Sequence, residues 1–168
     1  MAERGLALRP VEASVVLCLA TQAALEALPS LPDTFVGRVA TDEWVLVAPP
    51  KLEEKILETV RRHLRSSDAD ALALSHTDAW TMWCLTGERA DDAFARLSTV
   101  ALPSERPGFV QGAIASVGSK VVALPDRICM MVSSNLGHHL RDRVAELCHD
   151  LQPELKAPWT FELGEVGA

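Results

Sequence analysis

Apolar positions along this chain recur with two periods. Short β-branched and apolar runs predict strands at Ser14–Ala20, Phe35–Ala40, Trp44–Ala48, Ala79–Leu85, Phe109–Val117, Lys120–Leu124 and Ile128–Ser133. Helical spacing instead governs Leu52, Ile56, Leu57, Val60 and Leu64, and again Leu136, Leu140, Val144, Leu147 and Leu151. Glu53, Glu54 and Glu58 near the start of the first stripe, and Arg61, Arg62 and Arg65 near its end, suit the helix dipole. Thr21 is placed to cap a short helix that Pro29 and Pro32 stop after Leu28, and Asn135 to cap the last one, which Pro153 ends. Turns are expected at Thr41-Asp42-Glu43, Gly118-Ser119 and Pro125-Asp126-Arg127. Ala71–Leu74 reads either as a strand edge or as a lead-in to the next strand.

That next strand, Ala79–Leu85 (A-W-T-M-W-C-L), organises the pattern. Trp80, Met82 and Cys84 fall on one side, and Ala79, Thr81, Trp83 and Leu85 on the other. Large apolar residues on both sides predict a strand covered on two faces. Gly87 lets the chain turn, and E-R-A-D-D-A-F-A-R-L begins a helix with Ala90, Ala93, Phe94 and Leu97 on one face.

The halves echo one another. Glu43–Val47 aligns with Arg127–Met131, and Leu52, Ile56, Val60 and Leu64 align with Leu136, Leu140, Val144 and Cys148. The expected fold is α+β, with two pseudo-repeated strand–helix–hairpin–helix units forming an antiparallel sheet with helices packed on one face. A single domain over 1–168 is expected: a loose segment at 1–13, a first half at 14–70, a second at 71–151 and a tail at 152–168. In the tail Trp159, Phe161 and Leu163 alternate, as they would in an edge strand or in a partner-binding arm.

Composition narrows the function classes. The 168 residues are 48% hydrophobic and 23% charged, an apolar excess that hints at surface hidden in a partner. A net charge of −7 leaves no basic face for phosphates, so no nucleic-acid partner is expected. Cys18, Cys84, Cys129 and Cys148 form no C-x-x-C pair and read as buried reduced thiols. No apolar signal core and no run of membrane-spanning length is seen, so a cytoplasmic protein without a membrane partner is expected.

Candidate chemistry is sparse. His138 and His139 are adjacent on a helix, about 100° apart, and do not face one metal. Ser75-His76-Thr77-Asp78 reads as a turn entering a strand rather than as a nucleophile and its base. Asp91-Asp92 stabilises a first helical turn, and Gly108, Gly112 and Gly118 lack the lysine and helix start of a phosphate loop. No catalytic, cofactor-binding or metal-binding residue is expected in this chain. Aromatic anchors are favoured at interface centres, so Trp80, Trp83, Trp159 and Phe161 are the candidate interface residues.

Four ordered pieces carry a resemblance. E-W-V-L-V-A-P-P before a helix, S-H-T-D-A-W-T-M-W-C-L-T-G-E-R-A-D-D-A-F-A-R-L, G-F-V-Q-G-A and V-S-S-N-L-G-H-H-L-R-D-R-V resemble the gamma subunits of heterotetrameric sarcosine oxidases over about Phe35 to Leu151. Those subunits are similar to the N-terminal region of the glycine-cleavage aminomethyltransferase (T-protein) family. The resemblance implies a folate-binding-like fold and a non-catalytic subunit. Its partners would be alpha, beta and delta chains that hold FAD, FMN, NAD, tetrahydrofolate and zinc. It also implies a complex that oxidises sarcosine to glycine, with hydrogen peroxide and formaldehyde or methylene-tetrahydrofolate. Where the aminomethyltransferases place a folate-site aspartate after a glycine, this chain reads Val117-Gly118-Ser119-Lys120-Val121, without an acid. A stand-alone tetrahydrofolate-binding module is the alternative.

Overall fold

The structure is a computed structural model and describes residues 5–163, so expectations for 1–4 and 164–168 lie outside the described residues. In chain order the first elements are β1 (Ala7–Glu12), β2 (Ser14–Leu19), α1 (Gln22–Glu26), β3 (Phe35–Arg38), β4 (Glu43–Ala48), α2 (Glu53–Ser67) and β5 (Leu72–Ser75). Then come β6 (Trp80–Thr86), α3 (Ala90–Leu97), β7 (Gly108–Ile114), β8 (Val117–Leu124), β9 (Arg127–Ser133), α4 (Gly137–Leu147), β10 (Glu154–Leu155) and β11 (Trp159–Thr160). The class is α+β, as expected. The chain divides into two compact units, one joining the residues up to Val11 with Ala79–Trp159, the other joining Glu12–Asp78 with the residues from Thr160 on.

In the unit of Glu12–Asp78 the strand order is β3-β4-β2-β5, antiparallel throughout. Ile56, Val60 and Leu64, one stripe of α2, are buried with Val16, Cys18, Trp44 and Leu46 from alternate strand positions. The α2 helix runs three residues beyond the expected end at Leu64, and the Asp68 N–H closes it on the Leu64 carbonyl at 2.8 Å. Thr21 makes no side-chain cap on α1; its own N–H is held by Asp68 Oδ2 at 2.8 Å. The open reading of Ala71–Leu74 resolves into a strand, β5.

The other unit is built on a seven-stranded sheet ordered β10-β1-β6-β9-β8-β7, with β11 also on β1. The single antiparallel sheet expected from the sequence is therefore corrected to two sheets. The larger one is mixed, because β10 runs parallel to β1. Trp83 and Leu85 of β6 and Ile128, Met130 and Val132 of β9 share a core with Phe94, Leu97, Leu140 and Val144 of α3 and α4. On the opposite side of β6 and β9, Met82, Cys84, Cys129 and Met131 are buried too, so β6 is covered on both faces.

Three local expectations change. The segment read as loose contains β1, which pairs with β6 from Ala7↔Thr86 to Val11↔Met82. Pro10 is tolerated inside it because the Leu6 and Leu8 carbonyls turn toward the tail, where they accept from Glu154 and Lys156. Pro10 shares that side, so its missing N–H removes no bond to β6. The β7–β8 hairpin turns at Ala115 and Ser116 (φ 51° and 68°), while Gly118 and Ser119 lie within β8. Two successive left-handed residues make the turn that matches strand twist, and the Ala115 N–H is fixed by the Leu97 carbonyl at 2.7 Å. Asn135 does not cap α4. A 3₁₀ turn over Ser134–Leu136 precedes it, and the helix opens at Gly137, where a Cβ would lie 2.6 Å from Thr81 Cγ2.

Candidate functional site

The four aromatics singled out from the sequence take different places. Trp83 is 8% exposed and lies in the core of the larger sheet, where its buried Nε1–H finds no acceptor. Phe161 is fully buried. Trp80 and Trp159 are half-buried, each under a cation: Lys120 Nζ stands 4.7 Å from the Trp80 ring centroid and the Arg127 guanidinium 4.2 Å from that of Trp159. Trp80 pairs with Ser133 at one end of β9, whereas Arg127, which holds Trp159, begins the other end. Six residue steps of strand separate those ends, roughly 20 Å, so the two rings do not make one patch.

At the Trp80 end the sheet carries a depression of about 300 Å³, lined by Trp80, Gln111, Gly112, Gly118, Ser119 and Lys120. Its residues come together because Gln111, Lys120 and Met131 are register partners across β7, β8 and β9. Gly112 leaves room for Val100, whose Cγ2 lies 2.5 Å from where a Cβ would be. Ser119 is buried and donates to the Val117 carbonyl at 2.8 Å. The lining therefore offers a π face, a cation and an amide, with no carboxylate to move a proton and no activated nucleophile. At the other end Arg127 also donates to both oxygens of Asp126, at 2.8 and 2.5 Å. That hydrogen bonding holds the Asp126 carboxyl below its usual range.

The remaining polar motifs make the following contacts. Ser75 Oγ donates to the Glu53 carboxylate rather than to His76. Thr77 Oγ1 accepts the Val15 N–H at 2.9 Å. His139 Nε2 lies 3.4 Å from the Ala115 carbonyl and His149 Nδ1 3.1 Å from that of Glu146. Among the described residues no three His, Cys, Asp or Glu side chains are grouped to hold a metal ion. No described helix is long and apolar enough to cross a membrane. The Lys120–Trp80 and Arg127–Trp159 pairings escaped the sequence reading, since nothing local marks a contact between strands or with the tail.

No protein-family model matches the chain, and no curated protein matches it significantly in sequence. Solved structures do share its α+β fold. It is similar to glycine cleavage system aminomethyltransferase T from Bartonella henselae, with TM-score 0.65 and 12% identity over 92% of this chain. That match spans about half, 48%, of the enzyme's length. It is also similar to a chain of the heterotetrameric sarcosine oxidase from Corynebacterium sp. U-96, with TM-score 0.73 and 16% identity over 90% of this chain and 87% of that one. The regulatory subunit of aspartate kinase from Thermus flavus gives TM-score 0.50 at 11% identity over 88% of this chain and 99% of that one. Identities this low establish a shared fold, and a fold hosts several functions.

Proposed function

We propose that this chain is the non-catalytic gamma subunit of a heterotetrameric flavin-dependent sarcosine, or N-methyl amino acid, oxidase. The observation that carries the reading is the match over 87% of the sarcosine oxidase chain, against 48% of the aminomethyltransferase. A fold that accounts for nearly the whole of a subunit fits a subunit, whereas a transferase needs further domains around it. The thin chemistry of the Trp80 depression agrees. FAD, FMN, NAD, tetrahydrofolate and zinc belong, on this reading, to alpha, beta and delta partners in a cytoplasmic complex. That complex demethylates sarcosine to glycine and releases hydrogen peroxide with formaldehyde or methylene-tetrahydrofolate. The element order β2-α1-β3-β4-α2 within 14–70 is echoed by β6-α3-β7-β8-β9-α4 within 71–151, which has one strand more between its helices and β5 ahead of it. This supports reading them as pseudo-repeated halves of one folate-binding-like domain.

A second reading, a stand-alone tetrahydrofolate-binding module, is favoured by one feature, the cation and ring of Lys120 and Trp80 on an open depression. The residues present do not fit folate-dependent methyl transfer: the resemblance implies an acid near Gly118, whereas this chain has Ser119 and Lys120 there, and no residue lining the depression is an acid. Gentle purification of the tagged chain from its own host, followed by native mass spectrometry, separates the readings. Flavin-bearing large chains with a small zinc chain are the expected companions. A bare 18.2 kDa monomer or homodimer overturns the subunit reading. Saturable heat on calorimetric titration of that species with tetrahydrofolate would then establish the module.

A further inference from the structure

Two of the four thiols face one another. Cys84 and Cys129 are direct register partners on the antiparallel strands β6 and β9, and their Sγ atoms lie 3.4 Å apart. The Cys129 thiol donates to Cys84 sulfur, and the Cys84 thiol donates on to the Leu85 carbonyl at 3.7 Å. Both side chains are fully buried. Cys148 points elsewhere, toward the Ala93 carbonyl at 3.8 Å, and Cys18 belongs to β2 in the smaller sheet.

We propose that Cys84 and Cys129 are a disulfide-forming pair, a covalent fastener between β6 and β9 that a peroxide closes. A disulfide has sulfurs about 2.05 Å apart, so these two need approach by only about 1.4 Å. Opposite Cβ atoms of an antiparallel pair stand about 4.5–5.5 Å apart and a disulfide takes about 3.5–4.5 Å, which a small narrowing of the strand pair provides. The chemistry balances with hydrogen peroxide as oxidant. One thiolate attacks a peroxide oxygen, the O–O bond breaks, and a sulfenic acid forms with release of hydroxide. The second sulfur attacks the sulfenyl sulfur, the S–O bond breaks and the S–S bond forms. The two thiol protons leave with the hydroxides as two waters, and the peroxide takes up the two electrons.

Burial sets the timing. It raises the Cys129 thiol well above its ordinary range, an effect reinforced by the Cys84 thiol beside it, so the thiolate is scarce while the sheet is closed. Oxidation of the first thiol therefore waits for a local, transient opening that admits peroxide, and as β6 and β9 re-pair their register favours this pairing over the five others that four cysteines allow. The inference is independent of the subunit reading, because peroxide is an added reagent in its test.

The test treats the reduced full chain with excess hydrogen peroxide under native conditions, alkylates remaining thiols, and maps peptides by mass spectrometry. The expected product has lost two hydrogens and the two alkylation sites Cys84 and Cys129, with their peptides linked. In urea the pairings scatter. The C129S variant, its fold checked by circular dichroism, gains no intramolecular bond at Cys84. A native product that stays fully reduced, carries only sulfinic or sulfonic acids, or is linked through Cys18 or Cys148 overturns the proposal.

Discussion

Asp68 shows how much one exposed residue does for the smaller unit. Its Oδ2 holds the Thr21 N–H and its Oδ1 the Asp70 N–H at 3.0 Å, tying the entry of α1 to the end of α2. The Thr21 bond, then the Asp70 bond, lower its carboxyl below the usual value. A depressed folded pKa contributes stability above the unfolded value of about 3.9, lost as pH falls through the folded pKa. Asp68→Asn keeps one acceptor oxygen, so it should be less stable than the parent at neutral pH and converge with it in acid. Urea midpoints of both proteins from neutral pH to below 3 read this out, and a gap independent of pH refutes it. At this scale the sequence was uneven as a guide. Strand alternation placed Trp80 and Trp83 on opposite faces. It could not foresee a lysine and an arginine from other strands settling over Trp80 and Trp159, because those contacts depend on register.

Among elements, β6 was the most legible and β1 the least. Seven residues with apolar side chains at both parities could only be a doubly covered strand, whereas Arg9 and Pro10 disguised β1 until the tail's side of it was known. The hairpin between β7 and β8 was misplaced because its left-handed positions are Ala115 and Ser116, held by α3's last carbonyl rather than marked by glycine. Gly118, the visible turn residue, lies in the strand. Where α4 meets β6 the fit is tight enough to test. Gly137→Ala sets a methyl 2.6 Å from Thr81 Cγ2. The overpacking cost, about 1–3 kcal/mol, exceeds the roughly 1 kcal/mol that alanine gains over glycine in a helix. Thr81→Ser removes the clashing methyl, so the double variant should recover most of the loss. A double-mutant cycle by urea unfolding that shows simple additivity sinks this account.

For the whole molecule, the tail decides how the larger sheet ends. Residues 154–163 place β10 and β11 along β1, stack Trp159 on Arg127 and bury Phe161 completely. Removing residues 154–168 should cost at least the roughly 3–5 kcal/mol of emptying a buried phenylalanine site, a large share of the about 5–15 kcal/mol of a whole domain. It also bares the Leu6 and Leu8 carbonyls on a strand edge, which invites self-pairing. Urea midpoints and gel filtration of the truncated chain, beside Phe161→Ala, measure both effects. An unshifted midpoint with a monomeric profile shows the tail to be dispensable.

Because β1 pairs with Thr86 on one side and with Glu154 on the other, this strand needs neighbours made much later than itself. On a ribosome, the four strands of the smaller sheet are all made while β1 still has no partner, and its second edge stays open until β10 emerges. Maturation of the larger sheet is thus coupled to the arrival of β10. A stalled or prematurely stopped transcript yields a chain with one finished sheet and one exposed strand, the form that quality-control machinery is built to catch.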